Sequence, residues 1–407
     1  MTFKLKIFSV LISFTMIQSI FYSCSNEDSE NDIDNSVVYQ CQAMPVVQSA
    51  APLASYGYSL NYSAASNLKV YNRNLYLGAD VQNLLMASDL TQIITLVDSL
   101  YTDIINNEFV TRAAGIAREI SELQPDVIVL QEAELIRTEQ PSDFLTNYSS
   151  DATCEEIDFI TTLTDALSAH SLTYHIAVKK ENADIEITDM GKDIRITDYD
   201  VILVKDGFNY YGEISSDFTD QFSVDFGALY TGFPVVNVTR SYSSIMVEKP
   251  GVLDVPVRIV NTHLEMADSV IRQNQAAELA GFINSRNENI ILAADLNSDP
   301  LITIPPYPYD ISFAYQTLAV DSSLFDAFTV SSNEQNTCCL DILTDAAEIP
   351  EVRIDHILYK TNGSNTISVE GTMVTGIDPL EMISSSDNSY LLWPSDHAGL
   401  AAGFIIQ

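Results

Sequence analysis

The stretch Ile290-Ile291-Leu292-Ala293-Ala294-Asp295-Leu296-Asn297 joins an apolar run directly to an acid and an amide. A short run of this kind is typical of a strand that is buried on both faces. Asp295 and Asn297 stand two positions apart where the run ends, so both side chains can face one side and hold a water molecule between them. Taken alone the pair is a weak signal, because aspartate and asparagine are also common in turns.

The same pattern of polar groups at the end of an apolar run recurs along the chain. The other blocks are Asn74, Gln131-Glu132, Asn261-Thr262-His263, Arg353-Ile354-Asp355-His356 and Ser395-Asp396-His397. A sheet delivers side chains at such positions to its rim, where acids, amides and imidazoles can meet. We therefore interpret the blocks as parts of one divalent-metal site that is suited to phosphate ester chemistry.

Hydrolysis of a phosphodiester requires a metal, an oriented water, neutralisation of the developing charge and a proton for the leaving oxygen. Glu132 with a neighbouring amide matches magnesium, which prefers few protein carboxylates and keeps several waters. His263 and His397 supply imidazoles for acid–base work or for contact with phosphate oxygens. Asp355 could orient His397 through a hydrogen bond to its other ring nitrogen.

In their order along the chain, the blocks resemble the endonuclease/exonuclease/phosphatase superfamily. This is the group of DNase I, the abasic-site endonucleases, the inositol polyphosphate phosphatases and the neutral sphingomyelinases. The resemblance runs from about Leu68 to the C terminus, and the segments from Asn72 to Asp80 and from Thr337 to Cys339 are similar to a secreted bacterial subgroup. It implies an α/β fold of the DNase I-like type, a four-layer α/β sandwich in which two packed mixed β-sheets are flanked by helices.

The resemblance also implies metal ligands. Asn74 and Glu132 would hold the metal, with Asp396 near it or at a second metal position. Asn72 competes with Asn74 for this role, and we favour Asn74 because the phase of the apolar strand places it nearer the rim. The metal expected is Mg²⁺, with Mn²⁺ or Ca²⁺ as alternatives.

Catalytic roles follow from the same resemblance. Asp295 and Asn297 would position or deprotonate the attacking water. His397, paired with Asp355, would bind the scissile phosphate or act as the base. His263 would stabilise the transition state or assist the leaving group.

Composition restricts the substrate. The chain has 407 residues, 46% of them hydrophobic, and a formal net charge of -37. Such a charge disfavours broad binding to DNA or RNA, which depends on Lys and Arg, although bound cations can invert the local sign at a nuclease site. We expect a phosphodiester substrate, with a nuclease slightly ahead of a sphingomyelinase or other phospholipid hydrolase. The alternative to an enzyme is a non-catalytic surface binding protein that retains the fold. No obligate protein partner is predicted.

The N terminus predicts export. Lys4 and Lys6 precede an apolar stretch from Ile7 to Ile20, and Ser23-Cys24 with the acidic residues that follow resembles a bacterial lipoprotein signal. We expect a signal peptide over residues 1–23, a linker over 24–67 and the catalytic domain over 68–407. Lipidation of Cys24 would tether the protein to an outer or cell-surface membrane, and ordinary secretion is the alternative.

Periodicity predicts alternating strands and helices from Leu68 onward. Apolar spacing predicts helices over 103–123 and about 155–169. The aromatic stretch over 208–239 has no clear period and is predicted as a long loop or hairpin. The acidic stretch over 184–200 is predicted as a solvated loop, because its acids lack a regular ligand spacing, with a calcium-binding loop as the alternative.

Four cysteines remain besides Cys24, and they are Cys41, Cys154, Cys338 and Cys339. An exported protein meets an oxidising compartment, so disulfides are expected, with three pairings open. Cys338 and Cys339 are neighbours in sequence. A bond between direct neighbours would be strained, so each is expected to pair elsewhere or to stay reduced.

Overall fold

The structure is a computed structural model that describes residues 65–85, 87–228, 234–301, 313–328, 335–340, 343–363 and 365–407. The expected signal peptide, Cys24 and nearly all of the linker lie outside the described residues. Among the residues that are described, no helix has the length and apolarity needed to cross a membrane.

Strands make up most of the regular structure. They are β1 (Leu68–Asn74), β2 (Val127–Gln131), β3 (Leu135–Glu139), β4 (Cys154–Asp158), β5 (Tyr174–Thr188), β6 (Asp193–Lys205), β7 (Asn209–Asp217), β8 (Phe222–Asp225), β9 (Val235–Val238), β10 (Ser241–Lys249), β11 (Leu253–His263), β12 (Asn289–Asp295), β13 (Phe325–Asp326), β14 (Asp355–Lys360), β15 (Ile367–Thr375), β16 (Ile383–Ser384), β17 (Leu391–Leu392) and β18 (Gly399–Ile406).

The α-helices are α1 (Gln82–Leu85), α2 (Leu90–Asn106), α3 (Phe109–Leu123), α4 (Phe144–Asn147), α5 (Phe159–Ala169), α6 (Ser269–Asn284) and α7 (Phe313–Gln316). Short 3-10 turns span Phe226–Ala228 and Pro379–Glu381, and a π-helical turn spans Thr317–Asp321.

Two large mixed sheets form the centre of the fold. Within the described residues, the first sheet has the order β15-β18-β1-β2-β6-β3-β4, with β5 also paired to β6. The second has the order β13-β14-β12-β11-β10-β7. The pairs β1–β2 and β11–β12 are parallel and the other pairs of these sheets are antiparallel.

The two sheets pack face to face because their strands carry apolar side chains on alternating positions. In β1, Leu68 and Val70 join the core between the sheets, while Tyr71 points to the opposite face. In the second sheet, Ile259 and Ile291 contribute to the same inter-sheet core. Strands covered on both faces have to be apolar throughout, and this explains the continuous run that ends at Asp295.

Helices cover both outer faces. Helices α3 and α5 bury Ile116 and Leu163 against the first sheet, and α6 buries Leu279 against the second. The layers are therefore helix, sheet, sheet and helix. The four-layer α/β sandwich predicted from the sequence is confirmed.

The predicted helix over 103–123 is wrong in its N-terminal part. The chain forms two helices there, α2 ending at Asn106 and α3 beginning at Phe109. Glu108 between them adopts a left-handed backbone with φ of 45°, so the helical path breaks. The apolar spacing continues across this break because both helices face the core, and periodicity alone cannot reveal it.

The predicted helix over 155–169 begins later than expected. Residues Cys154–Asp158 form β4, and the helix begins at Phe159 because the Asp158 side chain accepts hydrogen bonds from the amides of Ile160 and Thr161. The stretch over 208–239 is also more regular than predicted, since it contains β7, β8 and β9. Most side chains of β7 are exposed, which removes the alternation that marks a strand.

The acidic stretch over 184–200 is not a solvated loop. It forms the end of β5 and most of β6, which pair along their length. Two of its carboxylates have clear partners: Asp184 accepts a hydrogen bond from Nε of Arg195 at 2.8 Å, and buried Asp193 accepts one from the amide of Phe144 at 3.1 Å. These partners let the ladder form among acidic residues, which would otherwise favour solvent.

Candidate active site

The polar blocks meet where strands of both sheets end. In the second sheet, His263 lies opposite Asp295 on the neighbouring strand, and Asp295 lies opposite Asp355. The register of β11, β12 and β14 therefore places an imidazole and two carboxylates in one row. This row lies at the end of the strand faces that form the core. The side chains of His263, Asp295 and Asp355 are all buried.

Asn74 connects the two sheets. Its Nδ2 atom donates to Oε1 of Glu132 at 2.9 Å and to Oδ2 of Asp295 at 3.1 Å. Its Oδ1 atom accepts from the amide of Tyr76 at 2.9 Å. Asn72, the other candidate, lies deeper between the sheets, where it donates to the carbonyl of Ala294 at 3.3 Å. It is thus Asn74, two residues further toward the rim, that contacts Glu132.

Glu132 follows β2 with a left-handed backbone, φ being 50°. Its Oε2 atom accepts a hydrogen bond from the amide of Leu77 at 2.8 Å. The loop after β1 thus fixes one carboxylate oxygen, while Asn74 fixes the other. Both oxygens keep lone pairs that can face a cation.

His397 forms a close pair with Asp355. The Nδ1 atom of His397 lies 2.9 Å from Oδ2 of Asp355 and 3.8 Å from Oδ2 of Asp295, and its Nε2 atom lies 4.0 Å from Oδ1 of Asp396. Burial by itself lowers the pKa of His397, but Asp355 and Asp396 outweigh it and hold that pKa well above its usual value. The pairing predicted from the sequence is present, and the ring is favoured in its charged form.

His263 has the opposite environment. Its Nδ1 atom lies 3.0 Å from a guanidinium nitrogen of Arg240, and its Nε2 atom lies 3.0 Å from Nδ2 of Asn297. Burial, then the charges of Arg240 and His397, lower the pKa of His263 well below its usual value. The site therefore contains one neutral and one cationic imidazole, an arrangement that separates the roles of proton acceptor and charge stabiliser.

Asn297 turns back toward the row of strand ends. Its backbone is left-handed, with φ of 48°, and its amide donates to Oδ1 of Asp295 at 2.9 Å. Its Nδ2 atom also donates to the carbonyl of Leu264 at 3.0 Å. The Asp-x-Asn block thus forms a turn, and in this turn Asn297 is brought against both Asp295 and His263.

The donor set fits a divalent cation. Burial, with Asp355 nearby, raises the pKa of Asp295 to about 7, and burial, with Glu132 nearby, raises the pKa of Asp396 to about 7. The Oδ1 atom of Asp355 is buried without a hydrogen-bond partner among the described residues. The carboxylates of Asp295 and Asp355 lie side by side on neighbouring strands, next to the ring of His397. This excess of buried carboxylates is what a hard cation compensates.

Two arginines that the sequence analysis missed support the site. Arg240 contacts His263, as described above, and pairs with Asp198 at 3.4 Å. Arg112 of α3 is fully buried and donates to the carbonyl oxygens of Leu75 at 2.7 Å and Pro394 at 3.2 Å. It joins the loops that carry Asn74 and His397. A charged residue within the apolar face of a predicted helix is a signal that could have identified Arg112.

Three other polar residues, in the blocks or next to them, are structural. Arg73 pairs with Glu119 at 3.4 Å, and Arg353 pairs with Asp326 at 2.6 Å. His356 points to the opposite face from Asp355 and lies 2.9 Å from the carbonyl oxygen of Ser298.

The expectation for the adjacent cysteines is wrong. Cys338 and Cys339 are bonded to each other, with a cis peptide between them and their Cα atoms 3.0 Å apart. A trans peptide keeps consecutive Cα atoms about 3.8 Å apart, and the cis peptide brings these two closer together. Cys154 is also disulfide-bonded.

The fold and this set of side chains define a class, the metal-dependent phosphoric ester hydrolases. More particularly, the chain belongs to the Endonuclease/Exonuclease/phosphatase family, whose model matches residues 105–397. Enzymes of this family typically use divalent metals, in agreement with the donor set. The match begins after β1, so it contains Glu132, His263 and His397 but not Asn74.

Solved structures with a similar fold include a mannosyl-6-phosphatase of Bacteroides thetaiotaomicron VPI-5482, which has 15% identity and a TM-score of 0.49 over 83% of this chain and 99% of that one. The D. rerio TDP2 humanized by 14 mutations has 15% identity and a TM-score of 0.44 over 83% and 98%. The human Nocturnin catalytic domain has 14% identity and a TM-score of 0.42 over 84% and 94%. No curated protein matches the sequence.

Proposed function

We propose that this protein is a Mg²⁺-dependent phosphoesterase. In this proposal, the part of the site that faces the metal is formed by Asn74, Glu132 and Asp396. The observation that carries the proposal is the bridge from Asn74 to both Glu132 and Asp295, which joins the rims of the two sheets at 2.9 and 3.1 Å. When bound, the cation would polarise a phosphoryl oxygen and neutralise developing charge. Magnesium suits the carboxylate oxygens of Glu132 and Asp396, and the amide nitrogen of Asn74 positions Glu132.

The protein's own residues supply the remaining chemistry in this proposal. Asp295 and Asn297 orient the attacking water, because their side chains converge at the end of β12. The cationic ring of His397, held by Asp355, contacts the phosphate oxygens. The neutral ring of His263, next to Arg240, stabilises the transition state or assists the departing oxygen.

The distribution of arginine favours a small phosphodiester or a phospholipid headgroup over a polynucleotide. The buried arginines are Arg73, Arg112, Arg118, Arg240, Arg258, Arg272 and Arg353. Arg137 and Arg195 both pair with Asp184. These guanidinium groups are used within the fold, so a chain with a formal charge of -37 has few left for a nucleic-acid backbone. A nuclease remains the competing proposal.

Export and membrane tethering through Cys24 complete the proposal, and they rest on the sequence. Expression of the full chain and of Cys24→Ser in a Gram-negative host, followed by fractionation, provides the test. We expect Cys24→Ser to leave the membrane fraction. An unchanged distribution would contradict the tether.

A substrate panel tests the function. The chain from residue 25 onward is incubated with bis-p-nitrophenyl phosphate, sphingomyelin vesicles, plasmid DNA and RNA, each with Mg²⁺ and with EDTA. We expect Mg²⁺-dependent release of p-nitrophenol or phosphocholine, with intact plasmid and RNA. Cleavage of plasmid or RNA alone would establish the nuclease instead. Absence of turnover on every substrate would favour a non-catalytic binding protein.

A further inference from the structure

The disulfide between Cys338 and Cys339 lies against the candidate site. Its two sulfur atoms and a ring nitrogen of His397 all lie within 4.8 Å of one another. Cys338 is fully buried, whereas Cys339 is exposed. None of the roles assigned above to the phosphoesterase site uses either cysteine. The disulfide therefore lies next to the ring of His397 on one side and faces solvent, through Cys339, on the other.

Backbone hydrogen bonds fasten the cysteines to the loop that carries His397. On one side, the carbonyl oxygen of Thr337 accepts from the amide of Ala398 at 2.6 Å. On the other side, the amide of Leu340 donates to the carbonyl oxygen of Asp396 at 2.9 Å. The segment Thr337–Leu340 thus binds the residues directly before and after His397. This places the disulfide opposite the ring of His397.

The same segment also fixes Asp355. The Oγ1 atom of Thr337 accepts from the amides of Ile354 and Asp355, both at 3.2 Å. Cys338 pairs with Val352 through two backbone hydrogen bonds of 2.9 Å each. Both members of the Asp355–His397 pair are therefore fixed by one short segment, and the disulfide lies at the centre of that segment.

We propose that the Cys338–Cys339 disulfide is a redox-controlled positioning element that holds the Asp355–His397 pair in its working geometry. The proposal rests on the proposed phosphoesterase function and adds a form of control to the same site. We expect opening of the disulfide to lower turnover because two separate thiols need more room next to the imidazole than the bonded pair does.

The redox step requires an external reductant. One thiolate of a dithiol attacks the sulfur of Cys339, the exposed residue of the pair. This forms a mixed disulfide between the reductant and Cys339, breaks the Cys338–Cys339 bond and releases Cys338 as a thiolate that takes up a proton. The second thiol of the reductant then displaces Cys339, which leaves as a second thiol. Two electrons and two protons pass to the protein, and the dithiol becomes a disulfide. Access from solvent through Cys339 makes this order of attack feasible.

Reversible reduction of the intact chain tests the proposal. The oxidised protein is treated with a dithiol, the reductant of the proposed step, and the number of thiols is counted by mass spectrometry after alkylation. Turnover of bis-p-nitrophenyl phosphate is then measured with Mg²⁺. We expect reduction to lower kcat about tenfold or more with little change in KM, and re-oxidation to restore it.

A spectroscopic signature separates positioning from a general loss of structure. The chain contains five histidines, so histidine-selective NMR resolves each ring, and His397→Gln assigns the signal of interest. We expect reduction to shift the ring signals of His397 while those of His175, an exposed histidine, stay in place. This readout needs no substrate and decides the proposal even if no phosphoesterase activity is found.

Variants identify the responsible disulfide. Cys338→Ala/Cys339→Ala is expected to have low kcat and no further response to reductant, while Cys154→Ser keeps the full response. A wild-type kcat in the double variant, a response to reductant that persists there, or unchanged His397 signals after complete reduction would each overturn the proposal. If the double variant fails to fold, reduction of the wild-type chain still provides the answer.

Discussion

Asp355 and His397 lie on opposite sheets of the sandwich and meet with Oδ2 and Nδ1 separated by 2.9 Å. Asp355 is the first residue of β14 in the second sheet, and His397 lies just before β18 in the first. The pair therefore forms only when the two sheets pack in register. An intact Asp355–His397 hydrogen bond therefore requires correct packing of the two sheets as well as a correctly formed site.

Asp355→Asn tests the function of this pair. The substitution keeps the shape of the side chain but removes the charge that helps to hold His397 in its cationic form. We expect kcat to fall about 100-fold or more, because catalytic acid–base and charge-stabilising groups typically contribute that much. Steady-state kinetics with Mg²⁺ provides the measurement. His175→Gln, at an exposed position, is the matched control and should be unaffected.

Glu132→Gln tests the metal-facing group. The amide retains the size of the side chain but loses the charge next to Asn74, so we expect Mg²⁺ affinity to fall about tenfold or more. Isothermal titration calorimetry of the metal-free protein measures the affinity without any substrate. Glu155→Gln, on an exposed position of β4, is the control. Equal Mg²⁺ affinity in Glu132→Gln and wild type would remove Glu132 from the metal site.

Arg112→Leu tests the link between the loops of the site. Removal of the guanidinium leaves buried carbonyl oxygens of Leu75, Tyr76 and Pro394 without donors. We expect the free energy of unfolding to fall by about 3 kcal/mol. Urea denaturation measures this loss, and Glu155→Gln at an exposed position should change the stability little. A variant as stable as wild type would show that Arg112 does not stabilise these loops.

The raised pKa of Asp295 predicts how stability depends on pH in EDTA. Its folded pKa of about 7 exceeds the unfolded value of roughly 3.9. Between these values the folded state holds a proton that the unfolded state has released, so this group makes stability fall as pH rises. Asp295→Asn removes the effect.

The difference in unfolding free energy between wild type and Asp295→Asn should therefore shift in favour of the variant from pH 4.5 to pH 8. Denaturation curves at several pH values in EDTA provide the measurement. Added Mg²⁺ should reduce the shift, because a cation stabilises the ionised carboxylate. A difference that is constant with pH would show that Asp295 is not perturbed.

Much of the fold and the site could be predicted from the sequence because strand ends in a packed sandwich carry polar groups to one rim. The apolar run before Asp295 predicts a strand covered on both faces, and the structure has this strand. The phase of β1 favours Asn74 over Asn72, and the structure brings Asn74 into contact with Glu132. These predictions rest on local patterns with a period of two residues.

The parts that could not be predicted depend on contacts between distant residues. The acidic strand β6 forms because Arg137 and Arg195 bind Asp184, a pairing that no local pattern contains. The guanidinium of Arg240 contacts the ring of His263 on the neighbouring strand. The residues next to Arg240 in the sequence do not predict this contact. The bond between Cys338 and Cys339 likewise depends on a backbone geometry that local sequence does not specify.

The central claim is that one metal-dependent site spans both sheets, and the most direct measurement is bis-p-nitrophenyl phosphate hydrolysis by wild type, Glu132→Gln and His397→Ala, with Mg²⁺ and with EDTA. Both variants change residues that belong to the first sheet. Glu132 is linked to Asp295 of the second sheet through Asn74, and His397 is bonded to Asp355 of the second sheet. We predict turnover by wild type only with Mg²⁺, and a loss of about 100-fold or more in each variant. Turnover in EDTA, or turnover that survives both substitutions, would contradict the account.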